Sequence, residues 1–339
     1  MILPLIADAE ASGAGLRAAC GIVGVSQRTV ERWRARPDGD DRRCGPRHEA
    51  ANALSASERA RVVAVMTAPE HAGLSPRQLV PRLADEGRYL ASESTMYRLQ
   101  HRFGLRASRR AERRTHVTRA TTVHRAQGPC QVWSWDITWL PTVVRGRYLY
   151  LYLVMDVWSR RIVGWDVCER ETADLAASLI QRTCVEHDVN PQGLILHSDN
   201  GKPMRGATMI ATLQWLGVVP SFSRPHVSND NPYSEALFRT LKHTPAYPSL
   251  PFDSAEQART WVARFVAWYN GTHRHSGIRY VTPDERHFGR EAAVLAQRQA
   301  VYARARTKRP ARWSRGTRNW TPVGTVILNP EPQIATPAA

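Results

Sequence analysis

Three segments in the middle of the chain decide its fold: QVWSWDITWL (131–140), YLYLYLVMDVW (148–158) and IVGWDVC (162–168). All three are rich in β-branched and aromatic residues, which favour strands. The second segment alternates tyrosine and leucine from Tyr148 to Leu153, so one of its faces is aliphatic and the other aromatic. Only residues 159–161 separate the second segment from the third, as in a tight hairpin. These segments therefore predict three consecutive antiparallel strands.

Helices and single strands alternate after these segments. Thr172 is placed to cap a helix. On the core side of that helix we expect Leu175, Ala176, Leu179, Ile180 and Thr183. An apolar run at 193–198 predicts a buried strand, and a helix at 206–216 and a strand at 218–223 follow it. The sequence thus predicts an α/β core, a mixed five-stranded sheet with helices on its faces. The order β-β-β-α-β-α-β-α resembles that of the ribonuclease-H-like fold.

The chain begins with a pattern typical of a helix-turn-helix. Helical spacing at 16–23 ends at Gly24, and Ser26 is placed to cap a second, basic helix. On that second helix Arg28 and Arg32 lie on the solvent side, where base edges would be read. A plain two-helix hairpin has the same pattern, so DNA binding is one of two interpretations here.

A second helical block precedes the sheet. A helix at 57–66, a helix that begins at Ser75 and Pro76, and a helix at 94–103 predict another helix-turn-helix. We therefore expect all-α helix-turn-helix domains before the α/β core.

The charge of the chain indicates a polyanionic partner. The 339 residues carry a formal net charge of +17. Nucleic acid is favoured over an acidic protein. Residues 102–125 hold eight arginines and one glutamate, which favours a segment that follows a phosphate backbone over a solvated helix. Residues 301–320 hold seven basic residues and no acidic one, with Trp313 and Trp320 among them. Phosphate contact and a disordered tail both remain open for this stretch.

Composition excludes several other classes. The five cysteines include no CxxC pair, which excludes a disulfide scaffold and a simple zinc finger and suggests a reducing compartment. No secretory signal and no lipid-spanning run is recognised, so we expect a cytoplasmic protein without membrane contact.

We expect four parts: a helix-turn-helix (1–50), a second helix-turn-helix with an Arg-rich linker (51–125), the catalytic core (126–285) and a basic C-terminal segment (286–339).

Two aspartates are candidates for chemistry. Asp136 lies centrally in a predicted strand between tryptophans, where a carboxylate is costly to bury unless it is paired or binds a metal. Asp199 follows an apolar strand in LILHSDNG, at the strand end where ligand sites form in such sheets. A hydrogen-bonded structural role for Asp136 and a turn-forming role for Asp199 are the alternatives.

A third candidate lies on a predicted helix. Glu235, Arg239 and Lys242 are spaced i, i+4, i+7 and share one face, with Pro232 at the first helical position. A solvated Glu–Arg pair is the alternative interpretation. Together, however, three carboxylates from two strands and a helix can converge at one sheet edge. Oxygen ligands select Mg²⁺ or Mn²⁺, and two such ions about 3.5–4 Å apart can clamp an in-line phosphoryl transfer.

The spacing of these carboxylates resembles a known signature. Asp136 and Asp199 are separated by 62 residues, and Asp199 and Glu235 by 35, as in the DDE transposases with a retroviral-integrase-like core. The words HSDNG (197–201), SRPHVSNDNPYSEALFRTLK (223–242) and YNGTHRHSGIRYVTP (269–283) are similar to the OrfB product of the third insertion-sequence family. The resemblance extends from about residue 15 to about 330 and is most specific over 131–285.

The resemblance implies roles for individual residues. Asp136, Asp199 and Glu235 would be catalytic and would hold two Mg²⁺ or Mn²⁺ ions per active site. Lys242 would contact the transposon end. The other residues expected to bind DNA are Arg239, Arg28 and Arg32. Asp156, in YLVMDVWSRR, matches a family aspartate that is not a metal ligand, and we expect it to be structural.

The resemblance also implies an activity and partners. We expect a bacterial DNA transposase that cleaves at insertion-sequence ends and transfers the freed 3′-hydroxyl into target DNA. Its partners would be the terminal inverted repeats, target DNA and further copies of itself on DNA at the nucleoid. The zinc domain of retroviral integrases is absent. A leucine heptad is also absent before residue 130, so the upstream-frame product of the element is a further expected partner. A non-catalytic DNA-binding regulator and a ribonuclease-H-type nuclease are the competing functions.

Overall fold

The computed structural model describes residues 2–35, 53–71, 73–105, 123–224, 230–313 and 316–330. Residues 106–122 of the expected Arg-rich segment (102–125) lie outside these ranges. The chain divides into two compact units, Met1–Ala53 and Leu54–Ala339, which are described separately.

The first unit contains three helices: α1 (Ile2–Ala11), α2 (Leu16–Val23) and α3 (Gln27–Arg34). Gly24 ends α2 in the left-handed conformation, with φ 71°, and returns its N–H to the last carbonyls of the helix. Ser26 caps α3 by accepting a hydrogen bond from the Thr29 backbone N–H at 3.2 Å. The predicted helix–glycine–helix is therefore confirmed. Helix α1 was not predicted, and it contributes the fully buried Ile6 that packs in the same cluster as Val30.

The second unit begins with α4 (Ala56–Thr67), α5 (Pro76–Asp85) and α6 (Glu93–Arg102). Ser75 and Pro76 begin α5 as predicted. Capping boxes start α4 and α5, and Ser92 caps α6. The three helices predicted for this block are therefore confirmed.

The main sheet has the predicted antiparallel beginning and parallel continuation. A short strand, β1 (His124–Ala126), precedes it. The strands of the main sheet are β2 (Val132–Pro141), β3 (Tyr148–Asp156), β4 (Ile162–Cys168), β5 (Ile195–Ser198) and β6 (Val219–Phe222). Their order is β4-β3-β2-β5-β6, with β2, β3 and β4 antiparallel and β5 and β6 parallel to β2. The mixed five-stranded sheet is therefore confirmed.

Helices cover both faces of this sheet. They are α7 (Ala173–Glu186), α8 (Lys202–Arg205) and α9 (Ala207–Leu216) on one face, and α10 (Pro232–His243) and α11 (Ala255–Gly271) on the other. Trp133, Trp135 and Tyr152 pack toward α7 and α9. Leu151 and Leu153 pack toward α10 and α11. The even-numbered positions of β2 therefore face α10.

One predicted core residue lies elsewhere. Leu175 is 37% exposed, whereas Ala176, Ile180 and Thr183 are buried. At 100° per residue Leu175 lies about 140° around the helix from Ile180, outside the face that meets the sheet. The prediction for Leu175 was wrong because the buried face centres on Ala176 and Ile180.

The last elements are α12 (Pro283–His287), α13 (Glu291–Lys308) and β7 (Val326–Leu328), which pairs with β1. Helix α13 packs against α5, and Trp320 is buried with Tyr302 in the same cluster as Leu79 and Leu83. Among the described residues of 301–320 the chain is therefore folded, and the disordered-tail alternative is wrong there. Trp313 and Trp320 both pack in this hydrophobic cluster.

A buried ion cluster holds α5 to the C-terminal elements. Arg298 is fully buried, and its Nε and Nη2 donate to the two carboxylate oxygens of Asp85 at 2.5 and 3.0 Å. Arg274 pairs with the same carboxylate at 2.5 Å. Charged groups so deeply buried need this many partners.

The edge strand β4 is covered by side chains. Asn270 both accepts from the Ile162 N–H and donates to the Ile162 carbonyl, each at 2.9 Å. His187 bonds the Val163 carbonyl at 2.7 Å, and Arg259 donates to the Val167 carbonyl at 2.7 Å.

No helix within the described ranges is long and apolar enough to span a bilayer.

Candidate active site

Strand β2 positions Asp136 near the middle of the sheet. Asp136 lies opposite Leu153 of β3 and faces α10, while Trp133 and Trp135 are buried on the other face. One of its carboxylate oxygens accepts the backbone N–H of Ile137 at 2.8 Å. Asp136 and the buried tryptophans of β2 therefore lie on opposite faces of the sheet.

The first turn of α10 is fastened to β2 next to Asp136. The buried Ser134 hydroxyl lies 2.6 Å from the side-chain oxygen of Asn231 and 2.6 Å from the hydroxyl of Ser234. Asn231 also donates to the Trp135 carbonyl at 3.1 Å. Asn231 occupies the N-cap position of α10, but its side chain makes no capping hydrogen bond. Its contacts with β2 instead place Glu235, one residue after Ser234, beside Asp136.

Asp199 reaches the same region from β5. This strand runs parallel to β2, with His197 opposite Ser134, and Asp199 follows directly after its end. One Asp199 carboxylate oxygen accepts the Gly201 N–H at 2.9 Å, so the residue also forms the turn that was its alternative interpretation. A Cβ at Gly201 would lie 3.0 Å from that oxygen and 2.8 Å from the Met204 sulfur. A side chain at this position would therefore displace the Met204 sulfur and crowd the Asp199 carboxylate.

The pKa of Asp136 reflects the charges of the other candidate carboxylates. Burial raises its pKa to about 7, and the nearby charges of Asp199, Glu235 and Glu171 contribute to the rise. Burial also raises the pKa of Glu235, partly offset by Arg239. The charges of the neighbouring carboxylates therefore oppose ionisation of Asp136. A carboxylate perturbed by both burial and nearby charges is typical of functional sites.

Glu171 was not identified from the sequence. It lies in the connection between β4 and α7, where the Tyr152 hydroxyl donates to the Arg170 carbonyl at 3.0 Å and accepts the Thr172 N–H at 2.8 Å. These bonds hold the connection against the sheet. No sequence signal could have found Glu171, because it lies in a polar loop and its approach to Asp136 depends on tertiary structure.

The chemistry of these donors fits a hard divalent cation. All are carboxylate oxygens, and a cation would relieve their repulsion. Among the residues that the structure describes, however, no three His, Cys, Asp or Glu side chains are close enough to form a ready metal cluster. The carboxylates are coupled electrostatically without forming a closed ligand set.

Asp156 has the structural role expected for it. Its carboxylate is fully buried and accepts the backbone N–H groups of Cys130 and Ser159, each at 2.9 Å. The Ser159 hydroxyl donates to it as well. The residue fixes the β3–β4 turn to the start of β2, on a different strand from Asp136.

The candidate DNA-contact residues are all exposed. Arg239 and Lys242 project from α10, four and seven residues beyond Glu235. Arg28 and Arg32 project from α3 in the first compact unit. The structure thus brings Arg239 near the carboxylate site, where it lowers the pKa of Glu235.

Comparison with known proteins agrees with this architecture. Residues 126–228 match one integrase core domain model, and residues 216–283 match a second model of the same description. The transposase for insertion sequence element IS904 of Lactococcus lactis is 27% identical over 227 residues, which cover 64% of this chain and 88% of that protein. Transposase InsF for insertion sequence IS3A of Escherichia coli is 33% identical over 161 residues, 47% of this chain and 54% of that protein.

Solved structures are also similar. The catalytic core domain of BIV integrase has 21% sequence identity and a TM-score of 0.36 over 48% of this chain and 97% of that one. Residues 126–283 are an integrase core domain, which makes the chain an enzyme of the polynucleotidyl-transferase class. The chain is similar to insertion-sequence transposases, and its matched region is a retroviral-integrase-like core.

Proposed function

We propose that Asp136, Asp199 and Glu235 hold two Mg²⁺ or Mn²⁺ ions and that this site cleaves DNA at insertion-sequence ends and joins the freed 3′-hydroxyl to target DNA. The observation that carries the proposal is that Asp136 on β2 is joined by Asp199, at the end of the neighbouring parallel strand β5, and by Glu235, on the helix fastened to β2 through Ser134. Bound divalent ions would activate the attacking oxygen and stabilise the leaving oxygen.

The protein's own contribution is to hold the carboxylates in place. Asp136 lies on a central strand, Asp199 on a turn closed by the Gly201 N–H, and Glu235 on a helix fastened to β2 through Ser134. This support from three different elements fits a site that must bring separate ligands to a defined geometry.

We further propose how DNA is bound. Arg239 and Lys242 would contact the phosphates of the strand at the site, and Arg28 and Arg32 would read the terminal inverted repeats. We also propose that this chain forms oligomers on DNA, at the nucleoid of the cytoplasm, and that it assembles with the upstream-frame product. The proposed parts of the chain are 1–50, 51–125, 126–285 and 286–339.

The direct test is a cleavage assay on duplexes that carry the ends of the element's own DNA. We expect Asp136→Asn to abolish cleavage and strand transfer in Mg²⁺ or Mn²⁺ and to leave binding to the ends nearly unchanged. Asp166→Asn is the matched control, because Asp166 lies on β4 and pairs with Arg182 at 3.0 Å. Thermal stabilisation by Mn²⁺ should be present in the Asp166→Asn variant and lost in the Asp136→Asn variant. Retained cleavage by Asp136→Asn, or full activity after chelation, would refute the proposal.

A further inference from the structure

An exposed cluster of aromatic rings lies where β2 and β3 leave the body of the sheet. Trp139 is 53% exposed and Tyr148 is 41% exposed. The Trp139 ring lies 5.3 Å from that of Tyr148 and 6.0 Å from that of Tyr150. We call these three residues the aromatic platform.

Folding explains the buried tryptophans of this strand but not the exposure of Trp139. Trp133 and Trp135, on the same face of β2, are completely covered by the packing of α7 and α9. Trp139 lies beyond that cover, yet it keeps a large apolar surface in water. Cross-strand contact with Tyr150 stabilises a hairpin only modestly, and a smaller aromatic side chain would supply as much.

The platform is held in a fixed position. The backbone N–H of Val143 donates to the Phe252 carbonyl at 3.1 Å, and the Thr142 hydroxyl donates to the Arg147 carbonyl at 2.9 Å. The hairpin is therefore tied both to itself and to the connection between α10 and α11. A surface so held loses little entropy when a flat ligand stacks on it.

The platform and Asp136 share one open stretch of strand. Strand β5 pairs with β2 only from Val132 to Ser134. Beyond that point β3 alone pairs with β2 in the described sheet, so Asp136 and Trp139 lie along the same unpaired edge. Their Cα atoms lie about 10 Å apart along the strand, and because the side chains of Asp136 and Trp139 lie on opposite faces of β2, a DNA strand that meets both passes around this edge.

The charge around the platform suits a polyanion. Arg145 and Arg147 are exposed in the turn of the hairpin, and no acidic residue occurs from Ile137 to Met155. A protein partner would not require this combination, whereas aromatic rings interleaved with arginines are the usual means of holding unpaired nucleotides.

We propose that the aromatic platform stacks an unpaired base of the DNA strand whose phosphate lies at the carboxylates. The inference rests on the proposed function and adds a binding site for a further nucleotide of the strand that carries the reacting phosphate. Trp139 provides the largest stacking surface, and Arg145 and Arg147 contact the flanking phosphates.

The test uses the full chain and duplexes that carry the fluorescent base 2-aminopurine in a two-nucleotide unpaired end. Stacking quenches this fluorophore. We expect quenching by the original protein and by Trp139→Phe, and its loss in Trp139→Ala. We expect Trp139→Ala to weaken binding of the unpaired end by about 5- to 100-fold and binding of a blunt duplex by much less. Trp215→Ala is the matched control, because Trp215 is 77% exposed on α9, outside the hairpin.

Each outcome bears on the inference. Equal weakening for blunt and unpaired ends, or quenching that persists in Trp139→Ala, would overturn it. A lowered melting temperature in Trp139→Ala without a change in quenching would leave only the hairpin-stabilising role. Asp136→Asn should keep the quenching and lose cleavage. If Asp136→Asn cleaves DNA normally, the proposed function is wrong, and the quenching measurements still test the stacking inference independently.

Discussion

Ser134 of β2 and Asn231 at the start of α10 are joined by a 2.6 Å hydrogen bond between the serine hydroxyl and the amide oxygen of the asparagine. The bond connects the strand that carries Asp136 to the helix that carries Glu235. Because the Ser134 hydroxyl is also 2.6 Å from that of Ser234, one buried side chain determines where the helix begins. The distance between two candidate catalytic carboxylates therefore depends on a residue that is not one of them.

Replacing Ser134 by alanine should impair catalysis more than folding. The change leaves the Asn231 amide oxygen and the Ser234 hydroxyl without their hydrogen-bond partner on β2, which we expect to cost about 1–3 kcal/mol of unfolding free energy. A shift of Glu235 should lower the cleavage rate by about 10- to 100-fold. Chemical denaturation and single-turnover cleavage measure the two effects. Thr240→Ala, on the same helix, is the control, and equal cleavage rates for both variants would contradict the positioning role.

Asp136→Asn should stabilise the metal-free protein while it abolishes activity. The pKa of Asp136 is raised from 3.8 to about 7, so ionising it opposes folding. This destabilisation grows as pH rises from about 4 to about 7 and is complete above 7. At pH 8 without metal we expect the melting temperature of Asp136→Asn to exceed that of the original protein by about 2–6 °C. At pH 4 the difference should vanish, and a difference independent of pH would refute the assignment.

The histidines of the segment YNGTHRHSGIRYVTP should make the protein acid-sensitive. Burial lowers the pKa of His273 to about 4, and burial with the nearby Arg160 charge lowers that of His275 to about 3. Since both fold as neutral rings, their contribution to stability is present above the ordinary value of 6.5 and is lost as pH falls toward 4. Thermal melts between pH 7 and 4 measure this loss. His275→Gln should flatten the profile, whereas His243→Gln, an exposed change at the end of α10, should leave it unchanged.

Lys242→Ala should weaken DNA engagement in a salt-dependent way. Lys242 is exposed two turns beyond Glu235, and losing one phosphate contact should reduce the slope of log affinity against log salt by about 1. Filter binding at several salt concentrations gives that slope, and cleavage rates are read alongside. If Lys242→Ala lowers the melting temperature but leaves the salt slope and the cleavage rate unchanged, Lys242 only stabilises the end of its helix by its charge.

Arg28→Ala and Arg32→Ala should reduce specificity more than overall DNA affinity. Both side chains are exposed on the capped helix α3, where a base contact is worth about 1–3 kcal/mol. We expect affinity for the element's ends to fall at least about tenfold, and affinity for random duplexes to change little. Competition gel shifts compare the two. Equal losses on both DNAs would limit these arginines to backbone contact.

Much of the core could be predicted because its signals are local. Alternation in YLYLYLVMD fixes the faces of β3, and the bounds of β4 coincide with the apolar run Ile162–Cys168. The candidate carboxylates follow from their places at a strand centre, a strand end and the first turn of a helix.

The remainder depends on contacts between distant parts of the chain. The approach of Glu171 to Asp136, the bond between Asn231 and Ser134, and the burial of Trp320 against Tyr302 all join residues that local periodicity does not relate. Leu175 shows the same limit within one helix, because the sheet decides which arc of α7 is covered.

The side chains that cover β4 determine how copies of this protein can associate. Asn270, His187 and Arg259 occupy backbone groups that an incoming strand would need for pairing. An uncovered edge would invite sheet-to-sheet joining and aggregation whenever many copies crowd together. With these groups occupied, a second copy could extend the sheet along β4 only by displacing Asn270, His187 and Arg259.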